Sequence, residues 1–375
     1  MNIFFRSSKP TFFLSFLRSN LTKFSSKPIK FPTYKPPNNS CNIFYFSTSE
    51  KLSNPETPSS DHPEIFITKT KRTTPVVSKP SFTLHDVSEI TKFRLSLANS
   101  SVAVIAYLLV NPCFDYQLLL FFISTQMIAM SSQTSNQDIE KEYDKLMIRT
   151  CNRPLPKNRI EPIQARMIAG FLYLSSNIIF LSFFPLNATL MANFIFFSYT
   201  MIYTPLKRMS PINTTIGAIS GSLPPYLGWL AAGGDLLSFM PLGICTYMFS
   251  WQFSHFYGIL WIYQDDYRKA GFKMIEDPVK AAKHMKIALG MKVVFGSLVF
   301  AGLSVNPFYL NNFVLLYGLW KFCYEPLKEF EKDPSVKSAK NLKRKSYNHL
   351  AIFFGVILMN NVWVLGKNYL QESKN

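Results

Sequence analysis

Asn136, Glu140 and Asp144 stand four residues apart in the run Asn136-Gln137-Asp138-Ile139-Glu140-Lys141-Glu142-Tyr143-Asp144. On an α-helix this spacing spreads them over roughly 80° of one face, so three oxygen ligands line up in a row. Such a row suits a hard divalent cation. Mg²⁺ ordinarily joins one or two carboxylates to substrate phosphates rather than sitting in an all-protein cage, so a diphosphate would complete its shell. Asp138 and Glu142 fall on other faces and read as solvated. The same run also fits a plain polar helix end whose like-charged neighbours, Glu140 with Asp144 and Lys141 with Lys145, are hydrated.

Basic residues follow closely. Arg149 and Arg153, in Arg149-Thr150-Cys151-Asn152-Arg153-Pro154-Leu155, place two guanidinium forks beside the acidic row, the chemistry that grips diphosphate. A second basic run, Tyr203-Thr204-Pro205-Leu206-Lys207-Arg208, precedes Asn213; Lys207 and Arg208 suit either phosphate contact or topology anchoring. A third run holds Trp251, Gln252, Phe253, Ser254, His255 and Phe256, then Trp261, Tyr263, Asp265, Asp266, Tyr267 and Arg268. His255 lies deep in an apolar stretch and must face protein or a cavity, as a packing residue or as a ligand. Asp265 and Asp266 fit a helix end or a second metal position.

These residues sit at the ends of apolar stretches. Nine such stretches occur, at about Leu95–Val110, Leu118–Ser132, Met167–Phe184, Ala188–Tyr203, Ile212–Ala232, Leu236–Trp261, Ile287–Leu303, Leu310–Phe322 and His349–Leu365. Most are long enough to cross a hydrocarbon core of about 30 Å as helices. Loop charge tests that count, because basic loops stay on one side. Lys141, Lys145, Arg149, Arg153, Lys207, Arg208, Arg268, Lys269, Lys273, Lys328, Lys343, Arg344 and Lys345 all follow even-numbered stretches, whereas 111–116 and 233–235 carry no Lys or Arg. All three chemical runs therefore share the basic face. The fifth stretch contains Gly217, Ser220, Gly221, Pro224, Pro225 and Gly228, which predicts a close-packed, broken helix beside a neighbour or a chamber.

The expected fold class is thus all-α and polytopic in the membrane. Hydrophobic residues make up 48% of the chain, and its formal charge of +18 is placed in loops rather than in a nucleic-acid-binding stripe. The five cysteines show neither a CxxC pair nor metal spacing. No acidic residue precedes Glu50, while Arg6, Lys9, Arg18, Lys23, Lys27, Lys30 and Lys35 alternate with Ser, Phe and Leu, the composition of an organellar transit peptide. We expect residues 1–50 to be that peptide, 51–88 a disordered linker, 89–368 the membrane domain and 369–375 a tail. The basic segment Lys337–Lys345 suits anionic lipid.

Three strings, SNQDIEKEYDKLMIRTCNRPLP, YTPLKRMSPINTTIGAISGSLPPYLGW and WQFSHFYGILWIYQDDYRKAG, in this order resemble the haem-specific branch of the UbiA prenyltransferase superfamily. The resemblance covers about Thr91 to Leu365. It implies a bundle of about nine helices around a central cavity, Mg²⁺, farnesyl diphosphate as donor and haem B as acceptor, giving haem O and diphosphate. It further implies the mitochondrial inner membrane and a downstream haem A synthase as a partner. By carry-over, Asn136, Glu140, Asp144 and Asp266 hold metal, with Asp144, Asp266 and Lys207 catalytic. Asn136, Arg149, Arg153, Tyr203, Arg208, Asn213, His255 and Tyr267 contact substrate. Ser254 stands where the family usually has Pro, and Ala270 where the wider superfamily often has a second acid. Two other readings share these features: a UbiA-type enzyme acting on a 4-hydroxybenzoate or other quinone precursor, and an inner-membrane anion carrier.

Overall fold

The computed structural model describes residues 83–303 and 308–372; the expected transit peptide lies outside them. The described residues form helices α1 (Leu84–Ile90), α2 (Phe93–Tyr107), α3 (Tyr116–Asp144), α4 (Pro162–Phe183), α5 (Leu186–Phe197), α6 (Thr204–Met209), α7 (Asn213–Ser222), α8 (Pro224–Ala231), α9 (Phe239–Ile262), α10 (Gln264–Lys269), α11 (Pro278–Ala301), α12 (Phe308–Leu319), α13 (Glu325–Lys332) and α14 (Val336–Glu372). Two π-helical segments, Ser198–Tyr203 and Trp320–Tyr324, join α5 to α6 and α12 to α13. There is no strand among the described residues. All nine apolar stretches fall on helices or on helix–π-helix pairs.

Two boundaries differ from expectation. α1 begins at Leu84, inside the stretch assigned to the linker, because Thr83 and Asp86 close a capping box across its first turn. α14 runs through to Glu372, so its helix continues into the expected tail.

Among the described residues, three helices are by themselves long and apolar enough to cross a membrane: Pro162–Phe183, Pro278–Ala301 and Val336–Val364. Of the others, α5 and α12 run into π-segments, α7–α8 is broken and α3 is extended by polar residues. α4 displays the membrane logic clearly. Met167, Phe171, Leu174, Ile178 and Leu181 form an exposed apolar stripe spaced alternately by four and three, while Ala165, Ala169, Ser176 and Phe180 are buried. On that buried side, small residues let backbones meet. Ser131 of α3 donates to the Ala169 carbonyl at 2.7 Å, and Ser176 of α4 donates to that of Ser124 at 2.8 Å.

The fifth stretch is broken as expected, at Leu223 between α7 and α8, where Pro224 and Pro225 remove two amide donors. Gln252 of α9 donates to the Ala218 carbonyl at 3.1 Å, one turn before the break. α8 lies tight against α2, since a Cβ built on Gly228 would sit 1.9 Å from the Ala103 carbonyl oxygen.

The two π-segments mark a repeat. Tyr203-Thr204-Pro205-Leu206-Lys207 and Tyr324-Glu325-Pro326-Leu327-Lys328 each end a π-turn and restart an α-helix with Pro in its first turn. Lys207 lies 4.6 Å over the Tyr203 ring and Lys328 lies 5.2 Å over that of Tyr324. The similarity joins the acidic motifs at the ends of α3 and α9 as a second sign of two related halves. Lys207 is largely covered, at 13% side-chain exposure, whereas Lys328 is exposed.

Gly228→Ala is expected to cost about 1–3 kcal/mol, because overpacking a close helix contact forces the backbones apart. The readout is a lower thermal midpoint in detergent. Gly170→Ala, with nothing within 4 Å of the added carbon, should match wild type.

Candidate active site

The acidic row is positioned by the length of α3. Its 29 residues run from an N-cap at Asp115, which accepts from Leu118 N at 2.9 Å, and span roughly 44 Å at 1.5 Å per residue. That exceeds the hydrocarbon thickness, so the helix carries its last turns to the membrane boundary. Asn136, Glu140 and Asp144 share one face and are 1%, 5% and 0% exposed. They are buried at the helix end rather than hydrated, which removes the solvated-end reading for this row. Glu142 is solvated as expected; Asp138 instead pairs with Arg166 of α4 at 2.8 Å.

Each of the three residues of the row is held by one basic side chain. Lys207 Nζ stands 2.7 Å from Glu140 Oε1, and Arg153 Nη1 stands 2.6 Å from Asp144 Oδ2. Lys92 Nζ donates to Asn136 Oδ1 and to Gln133 Oε1, both at 3.0 Å. Asn136 in turn donates to Thr204 Oγ1 at 3.0 Å. Thr204 donates through both its amide and its hydroxyl to the Tyr199 carbonyl, a consequence of the π-segment's wide turn.

Burial opposes the Lys207 charge, but Glu140 outweighs it, and the ammonium is held above the ordinary lysine range. For Lys92 the balance falls the other way. Burial and then the nearby Arg153 charge push its pKa down to about 7, against the opposing pull of Glu140 and Asp144.

A second group adjoins the first through the loop after α3. The Arg149 amide donates to Asp266 Oδ2 at 3.2 Å. Its guanidinium lies 4.9 Å over the Tyr263 ring and donates to the Tyr267 hydroxyl at 3.4 Å. Arg208 donates to the Tyr143 hydroxyl at 2.5 Å and lies 4.1 Å over that ring. Asn213 is fully buried and donates to the carbonyls of Ser210 and Lys273, both at 2.7 Å; Lys273 N donates to the Lys207 carbonyl at 2.7 Å. Asp144 Oδ1 and Asn213 Oδ1 are buried without a hydrogen-bond partner among the described residues.

Asn136, Glu140, Asp144, Arg153, Tyr203 and Lys207 are thus brought together, with Arg149, Asp266 and Tyr267 in the adjoining group. His255 is not among them. It stacks on Trp251 at 4.8 Å and meets Tyr347 of α14 edge-on at 4.6 Å, with its ring nitrogens 3.4 Å from Ser346 Oγ and 3.3 Å from the Tyr347 hydroxyl. Sequence reasoning missed Lys92, Gln133, Tyr199 and Thr204. A lysine before the first span looks like an ordinary topology anchor, and only the left-handed turn at Lys92, φ 44°, sends it back towards α3.

Beyond Gln133, a cleft opens towards the membrane interior. It is lined by Ser132, Gln133, Phe196, Tyr199, Gly221 and Pro224 among others, from α3, α5 and the broken α7–α8 helix. The site is therefore an oxygen-and-cation cluster at the boundary with a largely apolar cleft leading away. Its oxygens are hard ligands, and the unpartnered Asp144 oxygen has the charge and position to accept a divalent cation.

Comparison with known proteins agrees with this arrangement. The sequence matches the UbiA prenyltransferase family over residues 99–340. The chain belongs to the UbiA prenyltransferase family. Among similar UbiA members, the protoheme IX farnesyltransferase of Flavobacterium psychrophilum is 33% identical over 74% of this chain and 94% of its own. That of Opitutus terrae is 28% identical over 75% and 96%. In three dimensions, a UbiA homolog from Archaeoglobus fulgidus bound to GPP and Mg²⁺ superposes with a TM-score of 0.56 at 15% identity, covering 72% of this chain and 99% of that one. A digeranylgeranylglyceryl phosphate synthase gives 0.60 at 14% identity, covering 74% and 98%. At those identities the likeness shows the UbiA fold.

Lys92 is held in place from α1, whose own anchor is Arg159, at 2.7 Å from both Asp86 and Glu89. Burial opposes ionisation of Asp86, but hydrogen bonds from Thr83 and Arg159 outweigh it and keep its pKa below the usual carboxylate range. This contribution to stability is present above the unfolded value near 4 and is lost as pH falls through the lower folded value. The opening equilibrium read by hydrogen exchange over residues 84–92, corrected for the intrinsic pH dependence of amide exchange, should accordingly be flat between pH 5 and 7. In Arg159→Met it should rise by the equivalent of about 1–3 kcal/mol, because a buried acceptor loses its donor.

Proposed function

We propose that this protein is a protoheme IX farnesyltransferase. It transfers the farnesyl group of farnesyl diphosphate to a vinyl group of haem B with addition of water, giving haem O and diphosphate. The observation that carries the reading is the row Asn136, Glu140 and Asp144, buried at a membrane boundary and matched cation for cation by Lys92, Lys207 and Arg153. The names borne by similar chains across most of their length supply the donor and acceptor.

In this reading Asn136, Glu140, Asp144 and Asp266 hold Mg²⁺, which when bound neutralises charge on the departing diphosphate. The chain's own cations share that work. Lys207 and Arg153 stand within reach of the diphosphate oxygens, and Arg149 faces the same group from the Asp266 side. The cleft beyond Gln133 receives the farnesyl chain and keeps water from the allylic carbon while its bond to oxygen breaks. Tyr203 and Tyr199 line the boundary between cluster and cleft, where an aromatic face stabilises developing positive charge. Attack by the haem vinyl carbon forms the new carbon–carbon bond, and water then supplies the hydroxyl while a proton leaves to bulk. His255, Arg208, Asn213 and Tyr267 are assigned to substrate contact, His255 from the α14 side.

The lipid setting follows the same reading. The basic stretch before Glu50, which has no acidic residue, supports import into mitochondria, and the basic loops support the inner membrane with the cluster on the matrix face. Haem A synthase is the expected consumer of the product.

Purified full-length protein in detergent, given haem B, farnesyl diphosphate and Mg²⁺, should yield haem O by mass spectrometry, with loss on chelation. Asp144→Ala and Asp266→Ala should each lower turnover by about 10²–10³-fold. Prenylation of a 4-hydroxybenzoate in place of haem would overturn the acceptor, and transport of labelled diphosphate without its release would overturn the enzyme.

A further inference from the structure

We infer that Lys92, Lys207 and Arg153 keep the acidic row closed to metal until a diphosphate arrives, so that metal and diphosphate enter together by an exchange of cation partners. The inference rests on the reading of this cluster as a metal-dependent prenyl diphosphate site and assigns Lys92 a place in it. Each residue of the row meets one cation, at 3.0, 2.7 and 2.6 Å for Asn136, Glu140 and Asp144. The Asn136 oxygen is the only one its side chain can offer a metal, whereas Glu140 and Asp144 each offer a second, at Asp144 one without a partner. A nitrogen on one oxygen of each group keeps a metal from that oxygen by space and opposes it at the remaining ones, Asp144 Oδ1 among them, by charge.

The charge balance points the same way. With Lys92 protonated, three cations face two carboxylates and one neutral amide, leaving a surplus of one positive charge. A bare divalent ion would add to that surplus at a site where Glu140 and Asp144 are nearly free of water. A magnesium diphosphate is anionic overall, so its arrival cancels the surplus. It also offers the displaced nitrogens new oxygens. The lysines can make that exchange because their ammonium groups pivot on flexible stems. Lys207 keeps the Tyr203 ring beneath it, at 4.6 Å, during the swing. Gln133, which already accepts from Lys92 at 3.0 Å, plays the corresponding part for that residue.

The test reads metal retention rather than turnover. Full-length protein in proteoliposomes is loaded with Mn²⁺ alone or with inorganic pyrophosphate, filtered rapidly, and the retained Mn²⁺ counted. Wild type should bind Mn²⁺ roughly tenfold or more tightly with pyrophosphate than without, a coupling of ordinary allosteric size. Lys207→Met and Lys92→Met should retain Mn²⁺ without pyrophosphate at concentrations where wild type does not. Asp144→Asn should retain little in either condition. Equal retention by wild type with and without pyrophosphate would overturn the exchange while leaving the metal site standing. Methionine variants that fold, by thermal midpoint, yet bind Mn²⁺ no better than wild type would do the same. No Mn²⁺ retained by wild type even with pyrophosphate would overturn the metal reading itself, and the exchange with it. The wild-type comparison needs no variant, so a misfolded mutant does not blunt it.

Discussion

A carboxylate held at the edge of a bilayer out of reach of water must meet a cation, a metal or a proton. Glu140 and Asp144 impose that condition, and much of the surrounding structure answers it. α3 is long because the row must reach the membrane boundary while its first turns stay inside. The loop after α3 turns back so that Arg153 returns to Asp144, and Thr150 donates to the Asp144 carbonyl at 2.9 Å. The π-segment before α6 widens the helix enough for Thr204 to meet Asn136 and for Lys207 to point inward at Glu140. Even α1 serves the row, because its C-terminal carbonyls, at Glu89 and Ile90, accept from Gln137, beside Asn136.

The apolar part follows a different rule. Between membrane helices hydrophobic burial adds little, so contact depends on small residues and on hydrogen bonds to backbone. Gly228 against Ala103, and the serine bonds between α3 and α4, are instances. The break at Pro224 is tolerated because it is buried in protein, with Gln252 reaching across to a nearby carbonyl. The break also lines the cleft beyond Gln133, so the feature that weakens the helix makes room beside the reactive cluster.

Much of this was legible in the sequence. Apolar runs and loop charge located the helices, and four-residue spacing located Asn136, Glu140 and Asp144, because both signals are periodic and local. What was hidden depended on backbone direction or on distance along the chain. Lys92 looked like any basic residue before a span, and its role comes from one left-handed residue and a contact with Asn136, 44 positions away. The π-turn at 198–203 has no hydrophobic signature, although its echo at 320–324 was present in the repeated Tyr-x-Pro-Leu-Lys. For His255 the sequence left packing and ligand roles open, and its helix turns Gln252 towards α7 and His255 towards α14, away from the acidic row.

The two acidic motifs are separated by more than a hundred residues, and a single short loop makes them one site. Arg153 binds Asp144 through its side chain, whereas Arg149, one turn earlier, binds Asp266 through its backbone amide. That leaves the Arg149 guanidinium free to lie over Tyr263 and beside Tyr267. A backbone donor survives every substitution except proline, so this contact depends on the loop's conformation rather than on the Arg149 side chain. Met147, buried at 3% exposure within the cluster that includes Phe253, Trp261 and Tyr267, fixes that conformation from below. The separation of the two halves of the site is therefore held jointly, by apolar packing beneath the loop and by the Asp144 and Asp266 contacts above it.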